Sequence, residues 1–373
     1  MAKIKVLHII KSLGRGGAEM LLQETMKIHH HDEFEFHCIY FLPWKNQMVE
    51  GIQNAGGKVT LLKATNNISL LLNTRKIIAY IRSNQIDIVH CHLPWAGFAG
   101  RLVYKTTGIP VIYTEHNKQE RYHWITRLLN SITFNWQKKA IAVSSDVLES
   151  IQKNIAPSVP VDVILNGVNT ANFVRDYTSG NSLKKAVFGS VETKVIGNIA
   201  VFRFQKRIKE WITLFKQIHQ KHPDVRGCIL GDGVLKQEIM QHLQAEGMTE
   251  FIHFPGLQTD VIPWLSAMDI FMMTSEFEGL PIALLEAMSM KCAIVSTAAG
   301  GIKEVIRDGE DGFTKPVSQW QELVAPLDFL LNHPQEIIAY GEKARLRAEH
   351  SFSLQKMVEE TERQYRLLYS KSV

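Results

Sequence analysis

The sequence predicts an α/β protein of two Rossmann-like domains facing across a central cleft, with C-terminal helices. Three observations carry this. The chain has 373 residues, and a usual size of ~150 residues per domain suggests two domains. Short β-branched runs alternate with longer helical patterns, as parallel α/β sheets require. That alternation stops once and then restarts, so the strands fall into two sets and not one oversized sheet.

In the first set the strand candidates are 4–10, 34–41, 58–62, 87–92, 110–116, 140–144 and 162–167. Segments such as Ala18 to His29 and Leu70 to Asn84 lie between them, with apolar residues at helical spacing. From Val168 to about Glu192 the pattern breaks into Asn, Thr, Ser, Gly and Lys, which reads as a connection with one short helix near Ser182 to Phe188. The second set is 195–200, 226–233, 251–256, 270–275 and 293–298, and Gln319 to Val373 reads as successive charged amphipathic helices. The expected division is therefore 1–168 as the first domain, 169–192 as the connection and 193–350 as the second domain. A last helix in 351–373 is expected to pack back on the first domain.

Composition narrows the function. Apolar residues at 45% and charged residues at 21% fit a globular protein. A net charge of +5 is too small to argue for nucleic acid, and fits anionic ligands or an anionic lipid surface. Cys38, Cys91, Cys228 and Cys292 have no CxxC spacing, which points to a reducing compartment without disulfides or structural zinc. The run Val6 to Ile10 is too short for a signal-peptide core. No run of ~18 apolar residues offers a membrane span. The expected address is the cytoplasm.

In open α/β sheets ligands bind beyond the carboxyl ends of strands, and the motifs fall there. The first strand runs into Gly14, Gly16, Gly17 and Glu19, where glycines allow close backbone approach and the free amides of a helix start favour an anion. Glu19 stands where a dinucleotide fingerprint needs its third glycine, so the NAD reading fails; a tight turn without a ligand stays open. His90, His92 and His116 sit at strand ends, and His29, His30 and His31 form a run at a helix end. No spaced carboxylate or cysteine completes a metal set, so no metal is expected. His116 is the best placed of the six to donate to a phosphate or a sugar hydroxyl.

Arg203, Lys206, Arg207 and Lys209 cluster at the start of the second domain's first helix. Cations are the unfavourable sign at a helix N-terminus, so their presence suggests an external anion such as a diphosphate. Further on, Glu278 and Glu286 flank a predicted helix entry, with Pro281 in the first turn. Glu286 falls inside an apolar helix, where a carboxylate needs donors, and a ribose diol would supply two. A helix-start carboxylate and a backbone-bonded core carboxylate are the plain alternative.

Together these residues resemble the large glycosyltransferase family 4. The shared features are GGAE at 16–19, IVHCH, GIPVIYTEHN, NGV at 166–168, the Arg/Lys junction, LGDG at 230–233, SEFEGLPIALLEAM at 275–288 and GGIKEVI at 300–306. The resemblance spans nearly the whole chain and implies the GT-B fold and retaining transfer from a UDP- or GDP-sugar. It implies no metal or other cofactor. Arg203 and Lys206 would neutralise the diphosphate. Glu278 with Gly279, Leu280 and Pro281 would hold the donor sugar, and Glu286 the ribose. Gly256 opens the stretch that would meet the nucleobase. Gly16, Gly17 and His116 would line the sugar and acceptor side. One departure is the spacing: only Phe204 and Gln205 separate the arginine from Lys206. Arg207 and Lys209 are the alternatives for the lysine's role. The expected acceptor is a glycan or a lipid-linked sugar. Arg121, Tyr122, His123, Trp124, Arg127, Phe134, Trp136, Lys138 and Lys139 mix cations with aromatics, a composition that suits an anionic membrane surface or, equally, a packed helix with a basic face. A nucleotide-sugar 2-epimerase and a non-catalytic nucleotide-sugar sensor are the rival readings.

Overall fold

The computed structural model describes residues 3–370. The chain forms two compact units: the first runs to Gly167 and takes in the chain again from Leu354, and the second is Val168–Ser353.

The first unit is built on a seven-stranded sheet: β1 (Ile4–Ile10), β2 (Phe34–Tyr40), β3 (Lys58–Leu61), β4 (Ile88–His92), β5 (Val111–Glu115), β6 (Lys139–Ala142) and β7 (Val161–Val163). The order is β3-β2-β1-β4-β5-β6-β7, with every pairing parallel. Parallel strands are covered on both faces, and β1, β4 and β5 are buried along nearly their whole length. The order reverses between β1 and β4, so the crevice beyond their carboxyl ends is the switch point where such sheets bind ligands.

The second unit carries β8 (Val195–Ile199), β9 (Arg226–Leu230), β10 (Ile252–Gly256), β11 (Ile270–Met273), β12 (Ala293–Thr297) and β13 (Phe313–Lys315), in the order β10-β9-β8-β11-β12-β13. Its switch point lies between β8 and β11. The helix Ile208–Lys221 after β8 buries Trp211, Leu214, Phe215 and Ile218, and the Trp211 indole N–H donates to the Met272 carbonyl at 3.0 Å. That bond ties the helix to β11 and fixes the loop between β8 and the helix.

Two segments differ from the sequence reading. Residues 169–192, expected as a connection, belong to the second unit: Asp176 caps the helix Tyr177–Phe188, and Lys184 pairs with Asp269 at 2.7 Å. Strand β13 was not expected; it is three residues long, and a flanking Asp-Gly on its own reads as a turn. The helix Leu354–Tyr369 belongs to the first unit, held there by buried Tyr365 and Glu362. Glu362 accepts from His29 Nδ1 (2.9 Å), the His30 backbone N–H (2.9 Å) and His30 Nδ1 (2.7 Å). The histidine run thus anchors a helix, while His31 bonds the Met26 carbonyl.

Candidate active site

The loops at the second unit's switch point are stitched together by backbone. The Phe202 N–H donates to the Asp232 carbonyl at 2.9 Å and the Glu276 N–H to the Gln205 carbonyl at 2.8 Å. Thr274 Oγ1 donates to the Arg207 carbonyl at 2.8 Å, Thr297 Oγ1 to the Ser275 carbonyl at 2.6 Å, and the Gly301 N–H to the Gly279 carbonyl at 3.0 Å. The segments after β8, β9, β11 and β12 therefore form one interlocked rim.

This rim brings Lys206 and Glu278 together. Lys206 Nζ lies 2.6 Å from Glu278 Oε1, and Ser275 Oγ donates to the same oxygen at 2.6 Å. The two side chains are only 19% and 10% exposed, so the pair is drawn well out of water and each group is costly to leave alone. Arg203 stands on extended backbone just before, with its side chain exposed and in no ion pair among the described residues. The alternatives to Lys206 point elsewhere. Arg207 bonds Glu210 (3.0 Å) and the Val317 carbonyl (3.3 Å) and lies over the Trp320 ring, while Lys209 pairs with Glu238 at 2.8 Å.

Pro281 occupies the position just before the helix Ile282–Ser289, one residue earlier than expected, and Leu280 and Pro281 are buried beside the partly buried Gly279. Glu286 is buried on that helix. Gly256 closes β10 at φ +76° with open space where a Cβ would stand, and its carbonyl accepts from the Gly231 N–H at 3.0 Å. A pocket of about 1050 Å³ borders the same rim on the β13 side, between Phe204, Arg207, Glu276, Lys303, Lys315 and Trp320. Lys206, Glu278 and Glu286 do not line it.

In the first unit, Gly16 precedes the helix Gly17–Met26, whose start has no side-chain cap. A Cβ on Gly16 would lie 2.3 Å from Glu19 Oε2, and Glu19 is itself bonded by Ser12 Oγ at 2.9 Å. His116 follows β5, half-buried, with Nε2 buried and unbonded; burial pushes its pKa down to about 4, so it is neutral at pH 7. Its neighbour Glu115, passed over in the sequence, is fully buried and accepts from Tyr113, Tyr122 and Gln119. Gln119 in turn accepts from Asn130, and Asn130 from the buried Arg101 at 2.8 Å. This network fixes the loop carrying His116. The sequence signal was available: a carboxylate at the end of a continuous apolar strand must find donors.

His8, also overlooked, pairs in register with His90. Burial is the largest cause holding His8, His90 and His92 well below the usual histidine value. Glu362 would be raised by burial, but the hydrogen bonds from His29 and His30 outweigh that and hold it at about 2. Both shifts act in the same direction on stability. A histidine that titrates lower in the folded chain leaves the unfolded chain binding more protons below its ordinary value of about 6.5, and the depressed carboxylate does the same between its ordinary value and about 2. The melting temperature of the first unit is therefore expected to fall steadily from pH 6.5 downward in a differential-scanning series. A flat profile between pH 6.5 and 4.5 would contradict the buried neutral histidines.

Comparison with known proteins follows this division of the chain. The model of glycosyltransferase family 4 matches residues 15–172, and that of the group 1 glycosyl transferases matches residues 182–347. The chain is 38% identical over 115 residues to the Vi polysaccharide biosynthesis protein VipC/TviE of Salmonella typhi, which is 30% of this chain but 20% of that protein. It is 26% identical to the N-acetyl-alpha-D-glucosaminyl L-malate synthase of Bacillus anthracis, over 78% of this chain and 77% of that one. To the Escherichia coli UDP-Gal:alpha-D-GlcNAc-diphosphoundecaprenol alpha-1,3-galactosyltransferase it is 22% identical over 84% of each. Among solved structures, Anabaena Alr3699/HepE in complex with UDP and glucose superposes with a TM-score of 0.85 at 19% identity, over 97% of this chain and 99% of that one. The two family matches meet near the point where the two units divide, and the chain belongs to the group 1 glycosyltransferases, with the GT-B fold.

Proposed function

We propose that the chain moves a hexosyl or N-acetylhexosaminyl group from a nucleotide diphosphate sugar to a glycan or lipid-linked acceptor, with retention at the anomeric carbon. The observation that carries this is the Lys206–Glu278 pair at the second unit's switch point, a cation and a carboxylate held 2.6 Å apart with Arg203 exposed nearby. Donor binding gives Lys206 and Arg203 a diphosphate to neutralise, and it frees Glu278 to accept from sugar hydroxyls alongside the backbone of Gly279 and Leu280. Stabilising the leaving diphosphate is electrostatic work aimed at charge that grows in the transition state. Glu286 takes the ribose, and Gly256 borders the nucleobase. In the first unit, Gly16, Gly17 and neutral His116 lie beyond the carboxyl ends of β1 and β5. No metal is needed at the diphosphate and no cofactor beyond the donor.

One relative, named for UDP-Gal and a diphosphoundecaprenol-linked sugar, supports this class of donor and acceptor, as does a solved neighbour holding UDP and glucose. A thermal-shift panel of nucleotide sugars tests the donor side. A ligand at a hundred times its Kd stabilises by about 2.7 kcal/mol, so one sugar nucleotide should raise the melting temperature clearly. No shift with any UDP- or GDP-sugar would count against the reading.

The helix Trp124–Thr133 supports a membrane-side acceptor. It exposes Trp124 (66%), Ile125 (41%), Leu128 (50%) and Ile132 (58%) at helical spacing on one side, next to exposed Arg121 and Arg127. An apolar stripe flanked by cations suits the interface of an anionic bilayer, and a cytoplasmic protein touching the inner face of the membrane fits that surface. No helix among the described residues is long and apolar enough to cross a membrane. In liposome flotation the chain is expected to float with anionic vesicles, less with neutral ones, and not at all as Leu128→Glu/Ile132→Glu. Absence of the wild type from both vesicle fractions would remove the membrane part.

A further inference from the structure

We propose that His8, His90 and His92 form a binding site for a borderline divalent transition metal, of which zinc is the type, inside the first unit. His8 and His90 are in-register partners on neighbouring strands, and His92 lies two residues further along β4. Side chains two apart on a strand share a face, so all three rings stand on one side of the sheet. One ring nitrogen from each lies within 4.8 Å of the other two. Ring centroids are 5.3 Å apart for His8 and His92, 5.2 Å for His8 and His90, and 4.3 Å for His90 and His92. Three imidazoles with a fourth position left over are a zinc-type donor set.

The surroundings fit a metal as well as the donors do. His90 Nδ1 is 2.6 Å from the Tyr365 hydroxyl, the outer hydrogen bond that fixes a ligating imidazole and leaves Nε2 for the ion. His90 Nε2 now meets Thr114 Oγ1 at 2.7 Å, a hydroxyl that can turn away. His8 Nδ1 and His92 Nε2 lie 3.0 Å apart and share one proton. Ligands of a tetrahedral zinc at ~2.0–2.1 Å stand roughly 3.3 Å from each other, so an ion replacing that proton widens the pair by a few tenths of an ångström and turns both rings until their lone pairs converge on it. The three rings border a cavity of about 30 Å³ together with Thr25, Thr114 and Tyr365, which holds an ion and one small ligand, since a single water needs ~10–15 Å³. Because Tyr365 sits on the helix Leu354–Tyr369, the ion also fastens that helix to the sheet.

This inference stands apart from the proposed transfer activity, and its test uses no nucleotide sugar. The full chain, stripped with a chelator, is titrated with Co²⁺ and watched in the visible. The expected result is one equivalent bound with the intense bands of four-coordinate cobalt, displaced by Zn²⁺, and a raised melting temperature. His92→Gln should abolish the bands. Thr114→Val, which removes the hydroxyl competing for His90 Nε2, should keep or tighten binding. The double variant His333→Gln/His350→Gln, at two exposed histidines of the second unit, should leave it unchanged. Absence of the four-coordinate spectrum in the wild type up to millimolar cobalt would overturn the site, as would bands that survive His92→Gln or vanish in the His333/His350 variant.

Discussion

Arg203→Ala and Lys206→Ala should each lower the transfer rate roughly 100- to 1,000-fold, the usual loss when one preorganised donor to a developing negative charge is removed. Their effects on stability should differ. Arg203 is exposed and in no ion pair among the described residues, so its removal leaves the melting temperature nearly unchanged. Lys206→Ala strips the partner from a carboxylate that is 10% exposed and keeps, among the described residues, only Ser275, so it should destabilise by about 1–3 kcal/mol. Adding Glu278→Ala restores part of that stability by removing the stranded carboxylate, and it restores no activity. Urea unfolding and initial rates at saturating donor separate the two roles. Full activity in either single variant would sink the clamp.

The second large effect falls on the rim that carries the clamp. Gly231 sits at φ +138°, and a Cβ there would lie 1.8 Å from the Ala200 carbonyl oxygen, a backbone atom with nowhere to go. Gly231→Ala therefore combines a left-handed strain of ~1–3 kcal/mol with a clash that separates the ends of β8 and β9. It is expected to cost more than about 3 kcal/mol and to abolish donor binding. Gly256→Ala is the internal control: the same sign of φ, +76°, but open space around the new methyl. It should cost only about 1 kcal/mol. Equal effects in urea unfolding would show that the approach of Ala200 to Gly231 is not what holds the rim.

Much of this architecture was legible in the residues because parallel strands must be apolar on both faces, and runs such as IKVLHII and AIVST declare themselves. Strand β13 did not, since three residues between turns carry no periodicity. The helix Tyr177–Phe188 was read as part of a connection because its contacts, through Lys184 to Asp269, come from 85 residues away. The same limit governs the site. Lys206 and Glu278 were each singled out by local chemistry, but their pairing across 72 residues depends on β8 and β11 being neighbours at the switch point. His8 gave no local signal in the middle of an apolar strand. Only the register with His90 makes it part of a cluster. Arg207 and Lys209 looked interchangeable with Lys206 in the sequence, and the left-handed turn at Arg207, φ +50°, is what aims that side chain at Glu210 and Trp320 instead.

The central claim is that the Lys206–Glu278 rim holds a nucleotide diphosphate sugar for transfer. An NMR time course on the full chain, with a UDP- or GDP-sugar picked by thermal shift and with and without a lipid-linked sugar acceptor, tests it most directly. The account predicts that the donor's anomeric signal decays only when acceptor is present, and that the new glycoside keeps the donor's anomeric configuration. Interconversion of the free donor without acceptor would establish an epimerase instead. A donor that binds yet stays unchanged with every acceptor offered would contradict transfer altogether.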